Sequence, residues 1–167
     1  MAQIAQLGLR ASQFLWTLLI TALVGNVIAT AFAGNQSSIN YAIFVAVFSW
    51  LVLLFGFVAA WMDMSNIILT ALDALAAVFT FIAGVVLAAK LGVHSCGNID
   101  YIRHNSLTNG SPNMSKRCHE LQASTAFFWF LFASFVGSLV LGFLSGGSSM
   151  SMRRPGIGRK GPSMSQV

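Results

Sequence analysis

Between Arg10 and Asp63 the chain carries no charged residue, and between Glu120 and Arg153 it again carries none. Each gap exceeds the ~20 apolar residues with which a helix crosses a bilayer, and this constrains the fold more than anything else in the sequence. Soluble domains carry about a quarter charged residues; here 8% are charged and 56% hydrophobic. The chain reads as a membrane protein, and its 167 residues allow one domain of about four spans.

Four apolar segments emerge, at about 12–33, 40–62, 67–91 and 121–145. Turn-forming residues separate them: Gly34-Asn35-Gln36-Ser37-Ser38, then Asp63-Met64-Ser65-Asn66, then a long polar stretch from His94 to His119. A membrane barrel would need alternating segments of about ten residues, whereas these are continuous runs rich in Leu, Ala and Phe. Ala31-Phe32-Ala33 has the small-x-small form of a signal-peptidase site. The apolar run before it is longer than a signal core of roughly 7–15 residues, which favours an uncleaved anchor.

An even number of spans puts residues 1–11 and 146–167 on one side. Those segments carry Arg10, Arg153, Arg154, Arg159 and Lys160, against Arg103, Lys116 and Arg117 in the last loop, so the positive-inside rule makes both termini cytosolic. The three Asn-x-Ser triplets, at Asn35, Asn109 and Asn113, all fall in the two loops this orientation places outside. Asn109 and Asn113 are the candidate glycosylation acceptors, since Asn35 sits too close to the membrane.

The His94–His119 stretch holds both cysteines and all three histidines. On an oxidising side Cys96 and Cys118 would normally pair; two free thiols and a zinc site are the alternatives. Zinc is the poorer one, because no Cys-x-x-Cys spacing is present. The histidines read as surface groups, with acid sensing as the alternative.

Asp73 is the one acid deep in an apolar segment, where an ionisable group needs a reason. At 100° per residue Thr80 and Gly84 lie within ~20° of it, with Ala77 and Ala88 flanking. The carboxyl thus shares a small-residue face suited to close helix packing. With no second intramembrane acid, Lys, Arg or His to exchange a proton with, a structural or headgroup role is favoured over transport. On that reading Asp73→Asn should be tolerated and Asp73→Lys should not. The last segment repeats small residues every fourth position, Ser134, Ser138, Gly142 and Gly146, and the first offers Thr21, Gly25, Ala29 and Ala33.

Residues 147–167 are too poor in apolar side chains to fold alone and read as disordered. Arg153, Arg154, Arg159 and Lys160 would attract anionic lipid. Gly156-Ile157-Gly158-Arg159-Lys160-Gly161 matches G-x-G-x-x-G by letter, but lacks the strand before it and the helix after it that a dinucleotide site requires.

The run Leu72-Asp73, Val78-Phe79-Thr80-Phe81, Ala83-Gly84, Val86-Leu87-Ala88, His94-Ser95-Cys96, Asn98, Tyr101, Gly110-Ser111, Arg117-Cys118, Gln122-Ala123 and Ala126-Phe127, with Ser165-Gln166-Val167 at the end, resembles the fungal MARVEL-domain family typified by non-classical export protein 2. The resemblance implies an all-α, four-transmembrane-helix bundle with a disulfide-closed exoplasmic loop between its third and fourth spans. It makes Cys96 and Cys118 the paired cysteines and Asp73 the third-span acid. It further implies a plasma-membrane organiser in eisosome-type compartments, linked to sphingolipid-dependent signalling and to export of leaderless proteins. The expected partners are membrane lipids (sphingolipid or sterol, and anionic lipid at the tail), eisosome-associated proteins and further copies of the chain. No nucleic acid, cofactor or enzymatic activity is expected, for want of paired carboxylates, a Ser/His/Asp set or a good metal spacing. The rival function is a small proton- or ion-coupled transporter or channel using Asp73.

Overall fold

The computed structural model describes residues 2–32, 34–62, 66–92 and 94–150. Asp63, Arg153, Arg154, Arg159, Lys160 and Ser165-Gln166-Val167 lie outside them. The described residues form five helices and no strand: α1 (Ala2–Ala29), α2 (Ser37–Met62), α3 (Asn66–Leu91), the short α4 (Ile99–His104) and α5 (Met114–Met150). Four carry stretches long and apolar enough to cross a membrane: Ile4–Ala29, Ser37–Ala59, Ile67–Leu91 and Met114–Leu144.

Two boundaries differ from the sequence reading. The first span starts about eight residues earlier, because Arg10 lies within α1 as a buried side chain whose charge is met by Asp73. The fourth starts at Met114 instead of 121. Asn113 opens α5 there: its Oδ1 accepts from the Lys116 N–H at 3.0 Å, satisfying a first-turn amide. At 1.5 Å per residue, the 37-residue α5 is about 55 Å long, well beyond a ~30 Å hydrocarbon core. The end of α3 is set by Gly92, which takes the left-handed conformation (φ +58°) and donates back to the Ala88 carbonyl at 2.9 Å.

In the bundle α1 neighbours α2 and α5, and α3 neighbours the same two; α1 and α3 are diagonal. On α1 the buried positions are Arg10, Gln13, Thr17, Ile20, Val24 and Val27, spaced by three and four as a helix seam requires. That seam, not the Thr21-Gly25-Ala29 stripe, faces the core; no side chain approaches Gly25 within 4 Å, and Ala29 is exposed. Facing it, α5 buries Leu121, Ser124, Phe128, Leu131, Phe135 and Ser138. The bundle's outside is apolar, with Leu18, Leu51, Leu54, Val78 and Phe143 among its exposed residues. Such a surface belongs in lipid.

The proposed packing residues divide. Gly84 is buried beneath Trp129, whose indole would lie 3.3 Å from a Cβ at that position. Ser134 and Ser138 are buried, and Gly142 lies near Thr70. Gly146 is in the last turns of α5, beyond the residues whose surroundings are described. Ala88 is exposed. The buried arc of α3 includes Ala76, Ala83 and Leu87, to one side of Asp73, whereas Ala88 is turned ~60° to the other. Trp50 faces α1, its indole N–H donating to Thr21 Oγ1 at 3.0 Å.

These environments predict opposite outcomes for one substitution. Gly84→Leu should lower stability by about 1–3 kcal/mol through overpacking against Trp129, while Gly25→Leu should leave it within about 0.5 kcal/mol. Thermal unfolding in detergent reads both. Equal losses would show that the α3–α5 contact is not as close as described.

Candidate functional site

One group of polar side chains within the spans converges at a single level. Arg10 follows the start of its span by six residues, and Asp73 follows the start of its own by six, which puts both about 9 Å inside the end at which α1 begins and α5 finishes. Because α1 and α3 run parallel on the diagonal, the two meet across the bundle axis. The Arg10 guanidinium donates from Nη1 to Asp73 Oδ1 at 2.8 Å and from Nη2 to Oδ2 at 2.6 Å. Such two-pronged, charge-assisted pairing is roughly twice as strong as hydrogen bonding between neutral groups. Asp73 is 3% exposed and Arg10 9%.

The remaining helices complete the cluster. Arg10 Nη1 also donates to Gln13 Oε1 at 3.0 Å. Gln13 Nε2 in turn donates to Ser138 Oγ at 2.8 Å and to the Ser134 carbonyl at 3.2 Å on α5. Ser12 Oγ reaches Ser134 Oγ at 3.3 Å. From α2, Gly56 brings its backbone against the guanidinium; a Cβ there would lie 3.5 Å from Arg10 Cζ. Thr80, grouped with Asp73 from sequence, is not part of this: its hydroxyl is satisfied by the Ala76 and Ala77 carbonyls of its own helix. Asp73 therefore has the intramembrane partner that sequence reasoning denied it. The visible signal was the spacing of Arg10, Gln13 and Thr17, a polar start to the apolar seam.

The opposite end of the bundle is closed by the 94–119 segment. Cys96 and Cys118 form a disulfide (Cα–Cα 5.7 Å) buried with Ile102 against Tyr101 and Met114. α4 begins on Asn98, whose side chain accepts from the Asp100 and Tyr101 N–H groups. The Tyr101 hydroxyl donates to the Leu91 carbonyl, and Asn105 Nδ2 to the Lys90 carbonyl, so α4 is tied to the end of α3. Arg117, counted from sequence as a loop charge, is 3% exposed. Its Nε donates to the Leu107 carbonyl and its Nη1 to the Val27 carbonyl, each at 2.7 Å. Glu120 pairs with Asn26 Nδ2 at 2.6 Å and Lys116 Nζ at 3.6 Å.

The histidines are dispersed: His94 lies against the Tyr101 ring, His104 against the Asp100 carbonyl, and His119 is exposed. Among the described residues no three His, Cys, Asp or Glu side chains are grouped to hold a metal ion. Asn109 and Asn113 are exposed, and Asn35 is half-buried.

The family model for the MARVEL membrane-associating domain matches residues 3–141. Non-classical export protein 102 of Candida albicans is 36% identical over the whole of both chains. In Saccharomyces cerevisiae, non-classical export protein 2 is 32% identical over 95% of each chain. Its homolog 1 in the same yeast is 35% identical over 80% of this chain and 81% of its own. No solved structure matches.

Proposed function

The chain belongs to the MARVEL family, as a four-span membrane protein similar to the fungal non-classical export proteins, and on that premise we propose that it organises the plasma membrane. In this reading it helps form or maintain eisosome-type compartments, works through packing, self-association and lipid contact, and is linked to sphingolipid-dependent signalling. Both termini face the cytosol, where Arg153, Arg154, Arg159 and Lys160 attract anionic lipid. The relatives are named for non-classical export, and the reading extends to a part in export of proteins without leaders.

The observation that carries the reading is the closure of Asp73. Both its oxygens accept from Arg10, so the pair is neutral as a unit. A proton carrier needs a carboxyl free to gain and lose its proton. What remains for the bundle to act with is its apolar outer surface and its two polar ends.

The test is imaging of the tagged protein in its own cells, with sphingolipid synthesis intact and then inhibited, beside proton flux into vesicles holding the purified protein. Stable patches that redistribute on inhibition, with no flux above empty vesicles, are the expected result. An even membrane signal indifferent to lipid, together with flux lost in Asp73→Asn, would hand the function to the transporter reading.

A further inference from the structure

At the disulfide-bearing end a cavity of about 350 Å³ opens between two loops. Asn35, Gln36 and Ser37 line it from the α1–α2 connection, Ser106 and Asn109 from the segment after α4, and Arg117 from the first turns of α5. The two loops are held together by the Phe32 N–H, which donates to the Gly110 carbonyl at 3.0 Å. None of the lining residues is acidic.

Arg117 is the unusual member. A buried cation is costly unless an opposite charge meets it, and Arg10 shows how this fold meets one, with a forked carboxylate. Arg117 has no such partner: among the described residues its guanidinium makes no ion pair. Glu120, the nearest carboxylate along its helix, acts on it through space without forming an ion pair and is itself engaged by Asn26 and Lys116. The Arg117 contacts are the two carbonyls and, at 3.5 Å, Asn35 Oδ1 from Nη2. A guanidinium carries five N–H donors; these contacts use three, leaving one on each terminal nitrogen.

Other donors surround that position. Ser37 opens the 26-residue helix α2, in whose first turn the Ile39 and Asn40 N–H groups donate to the Gln36 carbonyl, leaving those of Ser37 and Ser38 as further donors. The Ser and Asn side chains of the wall add hydroxyl and amide donors. We propose that this cavity binds a phosphoryl group, the Arg117 guanidinium supplying the charge and the wall binding hydroxyls of the attached alcohol. An oxyanion suits the paired donors of arginine, and the volume exceeds what one phosphate needs. Ser37 is also the first residue of the second span, which places the cavity at the height of lipid headgroups. The phosphoryl group is therefore that of a phospholipid headgroup or of a soluble phosphate ester.

The inference concerns one end of the isolated protein, so its test is independent of any role in membrane organisation. The full chain, purified in detergent, is titrated with inorganic phosphate and with glycerophosphoinositol, and binding is read as a saturable rise in Tm. The same melts are run in nanodiscs of phosphatidylcholine alone and of phosphatidylcholine with phosphatidylinositol. Saturation by a soluble probe with no added stabilisation in phosphatidylinositol nanodiscs assigns a soluble ester; stabilisation by phosphatidylinositol nanodiscs, whether or not the soluble headgroup also binds, assigns a headgroup. Arg117→Gln should abolish either response. Since that substitution also removes contacts to the loops, the deciding variants are Ser106→Asp and Asn109→Asp, both at exposed positions. Each should weaken the response about tenfold or more by placing a carboxylate in the cavity that repels the phosphoryl group and competes with it for Arg117, with the unliganded protein no less stable. No saturable response to any probe, or one that both acidic variants leave intact, overturns the proposal.

Discussion

Asp73→Leu lowers the stability of the bundle by about 3–5 kcal/mol, and adding Arg10→Met to it returns most of the loss. The asymmetry follows from what each variant leaves behind. Removing the carboxylate strands a guanidinium about 9 Å inside the spans, with Gln13 Oε1 as its one remaining acceptor among the described residues. Removing both charges leaves two apolar side chains of suitable length in a core that already holds Ala76, Ala77 and Phe135. Asp73→Asn falls at the lower edge of the range, since an amide oxygen still accepts one hydrogen bond but cancels no charge. This reverses the tolerance expected from sequence, where no buried cation was in view. Unfolding of single and double variants in mixed micelles gives the coupling directly. A double variant no more stable than Asp73→Leu would mean that the cluster acts through Gln13 and the serines of α5, not through the ion pair.

The reason that pair was hidden lies in how charge is read along one chain. An isolated arginine in an apolar run is expensive, so in the sequence Arg10 reads as the edge of the membrane. The rule holds only for an uncompensated charge, and the compensation comes from a helix 63 residues away. Arg117 reads as a loop charge for a related reason: the Leu107 and Val27 carbonyls to which its guanidinium donates have no sequence signature. What composition and periodicity do carry is the coarse architecture, four spans with Asp73 and Gly84 buried on one face; the pairing of Cys96 with Cys118 is legible from their shared outer loop and from the family resemblance. Ala88 shows the limit of that arithmetic, since an azimuth relative to Asp73 does not say which side of Asp73 meets the neighbouring helix.

Reduction of Cys96–Cys118 should cost up to about 3 kcal/mol, the loop-closure value for a separation of 22 residues. That figure assumes an unfolded chain free to explore the loop; spans that stay helical in a micelle restrict it beforehand, so the measured loss should lie below it. Its distribution is the sharper expectation. The sulfurs pack with Ile102, Tyr101 and Met114 in a small cluster apart from the main core. Arg117, beside Cys118, relies on the Leu107 carbonyl of the segment that the bond restrains. In Cys96→Ser/Cys118→Ser, hydrogen exchange should therefore rise across residues 96–113, while the α1 and α3 amides around Ile20, Val24 and Leu87 keep their protection. Alkylation without reductant followed by intact-mass analysis first establishes the bond in native protein, where two labelled thiols would end this account. Loss of protection spread evenly over all four spans would instead show that the loop and the bundle unfold as one unit.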